Sequence, residues 1–173
     1  MIISTKNIEL RLLNESNLET LRVWRNSHDV NQFMEYREHI SVESQHIWFQ
    51  NLMKGNNHYF IIYTNDNPIG MIHLGNVDNS IGTAESGMFI AEKDYRGTGL
   101  AFSASKLLLE YAFETLKLNE LFAKVKNDNK NAQDYNKLLG FREIRQLNND
   151  FSQWSLKKID FDRKKSVLNQ LTS

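Results

Sequence analysis

The seven residues Tyr95-Arg96-Gly97-Thr98-Gly99-Leu100-Ala101 constrain this chain more than any other stretch. An apolar run, Ser86 to Ile90, precedes them, and Phe102 to Leu116 follows with apolar residues at helical spacing. The pattern predicts a buried strand, a tight turn and a helix. Glycines let the backbone turn sharply and expose its N–H groups. The first helical turn adds unpaired donors and a partial positive charge. Such a turn suits a phosphate. No lysine follows the glycines, which removes a P-loop.

The chain has 173 residues, the size of one domain with one core. Its 21 basic and 21 acidic residues cancel. That balance argues against nucleic acid or an anionic membrane as partner, since both need uncompensated Lys and Arg. There is no cysteine, which excludes disulfides, thiolate metal sites and a covalent Cys intermediate. Lys6, Glu9, Arg11 and Glu15 near the start fit neither a signal peptide nor a membrane span. The expectation is a cytoplasmic enzyme or binding domain without a metal.

Ile8 to Leu12 alternates as a strand would, and Ser16 with Glu19 has capping-box spacing before a first helix. Residues 28 to 40 read as irregular, polar and aromatic. Ser41 is the expected N-cap of a second helix, which Gly55 stops. His58–Thr64 and Ile69–Leu74 read as a hairpin around a four-residue loop, Asn65-Asp66-Asn67-Pro68. A polar loop, Gly75 to Gly82, leads to the strand Thr83–Ile90. Glu120 to Val125 is another strand. Asn127 to Asn129 offer caps for a helix that ends at Gly140, and two final strands flank the turn 147–150. The result is one α/β domain over residues 1–157, a mixed sheet of about seven strands with about four helices. The charged tail 158–173 is expected to be peripheral.

Taken together, these residues resemble the GNAT family of acyl-CoA-dependent N-acyltransferases. Arg96, Gly99 and Ala101 match its coenzyme-binding pattern, and Asn129, Ala132 and Gly140-Phe141 match its later helix-to-strand stretch. A narrower likeness lies in Trp24-Arg25-Asn26, Phe33-Met34, Ile40-Ser41, His46 and Trp48-Phe49. It is shared with two branches. One acetylates the 4-amino group of a UDP-linked deoxy amino sugar in the pseudaminic-acid pathway. The other acetylates N-termini of ribosomal proteins.

The resemblance implies acetyl-CoA as donor and an amine as acceptor. It places the pyrophosphate on the N–H groups of Arg96, Gly97, Thr98, Gly99, Leu100 and Ala101. It places the pantetheine arm along free backbone groups of Met88, Phe89 and Ile90, with Asn129 close by. Attack on a thioester needs a neutral amine, a donor for the oxyanion and relief for the leaving thiolate. Glu85 is the first candidate base, acting through water; its bland alternative is a strand-end carboxylate paired with a lysine. His73 and His46 are lesser candidates. Many GNAT enzymes carry a tyrosine four residues before the Gly of Gly-Phe. Here that position is Asn136 and the tyrosine is Tyr135, about 100° away around the helix. Either may serve the leaving group, or neither. The acceptor side would hold Arg25, Asn26, Met34, Tyr36, Arg37 and His73, with rings to stack on a base or sugar and Arg25 for a diphosphate. Trp24, Trp48 and Phe49 could equally be helix-packing core. The expected acceptor is a nucleotide-linked amino sugar. The alternatives are a protein N-terminus, or a CoA-binding module without catalysis. Monomer and homodimer remain open.

Overall fold

In the computed structural model, which describes residues 1–171, eight strands form one sheet in the order β1-β2-β3-β4-β5-β6-β8-β7. They are β1 (Ile2–Ser4), β2 (Glu9–Leu12), β3 (His58–Thr64), β4 (Asn67–Asp78), β5 (Thr83–Ile90), β6 (Glu120–Lys126), β7 (Arg142–Gln146) and β8 (Phe151–Lys157). Every neighbour pair is antiparallel except β5 and β6, which run parallel.

Strand alternation divides the core. Phe60, Ile62, Ile72 and Leu74 point to one face of the sheet. There they meet α4 (Leu100–Glu110), α5 (Lys130–Leu139) and α6 (Lys158–Leu171). Ile61 and Met71, one residue out of phase, point to the other, where Leu18, Leu21 and Trp24 of α1 (Leu18–Asn26) and Phe49 of α3 (Val42–Leu52) cover them. A single turn, α2 (His28–Asn31), follows α1.

Local chemistry accounts for most boundaries. Ser41 accepts from Ser44 N at 3.1 Å, Asn129 accepts from Ala132 N at 3.0 Å, and Gly140 ends α5 at φ 104°. Several expectations are corrected. Ser16 is not a cap: it lies inside a 3-10 turn, Glu15–Asn17, that leads into α1, and Asn14 caps that turn, its side chain accepting from Ser16 N at 2.9 Å. The β3–β4 turn is only Asn65-Asp66, both at positive φ, 48° and 61°. Pro68 is already in β4, opposite Tyr63, where the register shifts; an irregular ladder tolerates its missing N–H. β4 runs on to Asp78 through what read as a polar loop. The sheet gains β1 over the seven strands expected. The tail is not peripheral: α6 buries Phe161 fully and Leu168 almost so, and Lys164 Nζ donates to Lys137 O at 3.0 Å, closing the end of α5.

Candidate active site

β5 and β6 pair through only Thr83–Glu120, Ala84–Leu121 and Glu85–Phe122. Beyond Glu85, β5 keeps its ladder to β4 up to Ile90, and β6 keeps its ladder to β8 up to Lys126. Ser86 Oγ to Phe122 O, at 3.5 Å, is the last hydrogen bond across among the described residues. The two strands diverge and open a cavity of about 600 Å³. Met88, Phe89, Ala123 and Val125 form its strand walls, and Tyr135, Asn136 and Asn129 close it from α5.

The turn after β5 sits at the open end of this split. Gly97 and Gly99 hold φ of 77° and 84°, a backbone state glycine takes without strain. Nothing lies within 4 Å of a Cβ built on either. Among the described residues, the backbone N–H groups of Gly97, Thr98, Gly99, Leu100 and Ala101 have no acceptor. Five unpaired donors around open space at a helix start fit a pyrophosphate. Thr98 Oγ1 donates instead to Tyr95 O at 2.8 Å. Arg96 folds back: Nε donates to Ile90 O at 3.0 Å and Nη2 to Ala91 O at 2.7 Å. Its guanidinium therefore fastens the turn to the end of β5. Ile90 lends that carbonyl and does not line the cavity.

Glu85 lines the cavity half-buried, with Lys124 Nζ at 3.9 Å from its Oε2. Both alternatives for this residue, an approachable carboxylate and a lysine-paired one, are thus present at once. Tyr135 and Asn136 reach the cavity by different routes. The Tyr135 hydroxyl is 2.8 Å from Ala101 O and 2.7 Å from Ser105 Oγ, with Met88 Sδ at 3.6 Å. One proton fills the first contact, so Ser105 donates to Tyr135. Burial holds the phenol well above its ordinary pKa. Asn136 Nδ2 donates to Ala132 O at 2.8 Å, leaving its second N–H uncommitted.

On the acceptor side, Arg25, Met34, Tyr36 and His73 line the cavity, joined by Trp48 and Tyr59. The His73 ring stacks on Tyr59 at 4.4 Å and 16°. Its Nδ1 is buried without a partner among the described residues, as is Arg25 Nε. Burial, with a smaller push from the Arg25 charge, lowers the His73 pKa to about 4, so the ring is neutral at pH 7. Burial also lowers the Arg25 pKa, and no carboxylate is paired with Arg25 among the described residues.

Four expected residues stand elsewhere. Asn26 clasps the backbone of Ile40 from both sides, Nδ2 to Ile40 O and Ile40 N to Oδ1, each 2.9 Å, and so anchors the segment 32–39. Arg37 donates to Met34 O at 3.0 Å and to Asp150 at 3.1 Å, outside the main cavity. His46 is exposed on α3. Trp24 is core, its Nε1 donating to Glu92 at 3.0 Å. Sequence reasoning missed Ser105, Lys124, Glu35 and Tyr59. Lys124 had a signal, as a charge inside the apolar strand Leu121-Phe122-Ala123-Lys124-Val125. Glu35 had none.

Among the described residues no group of three or more acidic or histidine side chains is placed to hold a metal, and no helix is long and apolar enough to cross a membrane. A family model described as the acetyltransferase (GNAT) domain matches residues 7–142. The chain is 31% identical over 121 residues to the acetyltransferase PseH of Campylobacter jejuni, covering 69% of this chain and 73% of that one. Two solved structures share the fold at 19% identity. FdhC, a nucleotide-linked sugar GNAT, superimposes with a TM-score of 0.83 over 100% of this chain and 99% of the other. The spermidine N-acetyltransferase of Vibrio cholerae, in complex with CoA and spermine, does so at 0.81 over 91% and 99%. With the split sheet and the unpaired N–H cradle already in place, the family match is decisive: this chain belongs to the GNAT acetyltransferases and is an N-acetyltransferase that takes its acyl group from acetyl-CoA.

Proposed function

We propose that this protein, a cytoplasmic enzyme, transfers acetyl directly to the amino group of a nucleotide-linked deoxy amino sugar. The observation that carries the reading is Arg25, a desolvated guanidinium facing the acceptor cavity with no carboxylate partner. An uncompensated buried cation is costly unless a ligand supplies the anion. A diphosphate does so, bidentately. A polyamine would bring more positive charge to the same place. Glu35 and Glu85, the carboxylates at the cavity, already share Lys124. The similarity to PseH supports the same class.

In this reading the N–H groups from Gly97 to Ala101 receive the pyrophosphate of the donor, and the free edge of β5 at Met88 and Phe89 receives its pantetheine arm. The acceptor lies across Tyr59, His73 and Trp48, its phosphates toward Arg25. The amine sheds a proton through water to Glu85, and its lone pair attacks the thioester carbon. An N–C bond forms and the C–S bond breaks. The sulfur leaves as a thiolate, unaided or held by a hydrogen bond from Asn136, or takes a proton from Tyr135.

Thiol release from acetyl-CoA tests this, with a panel of UDP-linked 4-amino sugars, N-terminal peptides and spermidine. Turnover is expected on the sugars alone. Turnover confined to peptides or spermidine overturns the acceptor class, and CoA binding without any turnover overturns catalysis. UDP should inhibit, and Arg25→Met should weaken that inhibition at least tenfold while leaving the KM for acetyl-CoA unchanged.

A further inference from the structure

Lys124 stands between two carboxylates from different parts of the chain. Its Nζ is 3.1 Å from Glu35 Oε2, on the segment between α2 and α3, and 3.9 Å from Glu85 Oε2, on β5. All three side chains are part-exposed, with relative accessibilities of 37% for Lys124, 58% for Glu35 and 40% for Glu85. The hydrogen bond from Lys124 to Glu35 is the first cause of its raised pKa, ahead of the Glu85 charge. Glu35 therefore has the stronger claim on the ammonium. The segment that carries Glu35 also puts Phe33, Met34 and Tyr36 on the cavity. It is tied to α1 by Asn26 and, at Arg37, to Asp150 of the β7–β8 turn at 3.1 Å. It thus spans from one half of the split sheet to the other.

We propose that Lys124 is a positioning residue shared by Glu35 and Glu85, which couples the seating of segment 32–39 over the acceptor to the state of the carboxylate at position 85. With the segment seated, Glu35 holds the ammonium and Glu85 keeps a free lone pair toward the cavity. With the segment lifted, the ammonium has only Glu85 to pair with, and that carboxylate is tied up. Seating of the acceptor segment thereby arms the base only when an acceptor is enclosed. The catalytic half of this statement rests on the proposed role of Glu85; the sharing of Lys124 does not. The other titratable or charged side chains lining the cavity are Arg25, Tyr36, Tyr59, His73, Lys126 and Tyr135. Among the described residues, none of them joins both carboxylates by an ion pair or hydrogen bond.

The test is the rate of thiol release, with a UDP-linked 4-amino sugar as acceptor, in single and double variants. Glu35→Gln leaves the ammonium with Glu85 alone and should lower kcat several-fold, with the KM of acetyl-CoA unchanged. Adding Lys124→Met frees Glu85 again, so the double variant should recover most of that loss. A merely structural lysine would leave the double variant as slow as Glu35→Gln or slower, and that result overturns the sharing. Glu85→Gln tests the underlying reading separately: an unchanged kcat removes Glu85 as base, an outcome distinct from a failed rescue in a protein whose Glu85→Gln variant is slow.

Discussion

Gly87 lies against the imidazole of His73: a Cβ at position 87 would stand 2.7 Å from His73 Cε1. The two residues face each other across β4 and β5. The missing side chain on one strand is what lets the ring on the other lie over the sheet and stack on Tyr59. Gly87→Ala should therefore displace the ring. Over-packing of this kind costs roughly 1–3 kcal/mol, which urea unfolding would register. The KM of the acceptor should rise several-fold with the KM of acetyl-CoA unchanged. An unchanged acceptor KM would mean that His73 plays no part in its recognition.

A second expectation concerns acid. His73 is neutral in the fold with a pKa near 4, against about 6.5 when unfolded. Between those values the unfolded chain binds the extra proton, so stability falls as pH drops from about 6.5 to 4 and falls no further from this group below that. The full effect is on the order of 3 kcal/mol. His73→Phe should flatten this part of the curve in denaturant titrations from pH 4 to 7. A variant with the same slope as wild type would place the acid sensitivity elsewhere.

The leaving-group question turns on two neighbours on α5. Tyr135 can offer its proton to the sulfur only by releasing Ala101 O, whereas Asn136 has an N–H to spare. Removing a general acid costs about 10²-fold or more, and removing a neutral hydrogen bond much less. Tyr135→Phe is expected to lower kcat by about 10², with Asn136→Ala causing a smaller loss. The reverse order would assign the role to Asn136. If neither moves kcat, the thiolate departs unaided. Because burial raises the Tyr135 pKa, its phenol stays protonated and adds no basic limb near neutral pH.

Phe161 and the end of the chain give a stability prediction remote from the chemistry. Phe161 is fully buried, its ring 5.2 Å from that of Phe113. Phe161→Ala should cost about 3–5 kcal/mol. A loss below 1 kcal/mol in chemical denaturation would show that α6 is an appendage after all.

Much of the donor side was legible because its signals are local. Gly97 and Gly99 adopt positive φ within their own turn, Asn129 caps its own helix, and Gly140 ends it. Each is decided by neighbours within a few positions. The hairpin was misread for a local reason too: Pro68 looks like a breaker, yet the register shift opposite Tyr63 admits it. The acceptor side resisted for the opposite reason. Glu35 and Lys124 are 89 positions apart, and Arg37 and Asp150 are 113 apart. Their meeting depends on how the sheet splits, which no short window encodes. Asn26 shows the limit of motif reasoning. It belongs to the stretch that resembles the sugar branch, but its amide holds a backbone rather than lining the cavity. The tail was underestimated because its apolar residues are sparse, although Phe161 and Leu168, seven apart, fall on one helical face.

The three-residue seam between β5 and β6 has a mechanical meaning. A sheet normally transmits load through every rung of its ladder, and here only the lowest rungs connect the two halves. A donor molecule lodged in the gap would supply some of the missing rungs. It would act as a removable strand that stiffens the enzyme while it is bound. Every second amide hydrogen of residues 86–90, those facing the gap rather than β4, should then exchange quickly in the free protein and slow on addition of CoA. Resistance to heat and proteases would rise with CoA concentration as the logarithm of one plus the ratio of CoA concentration to its Kd. The lifetime of the protein would follow the supply of its own co-substrate.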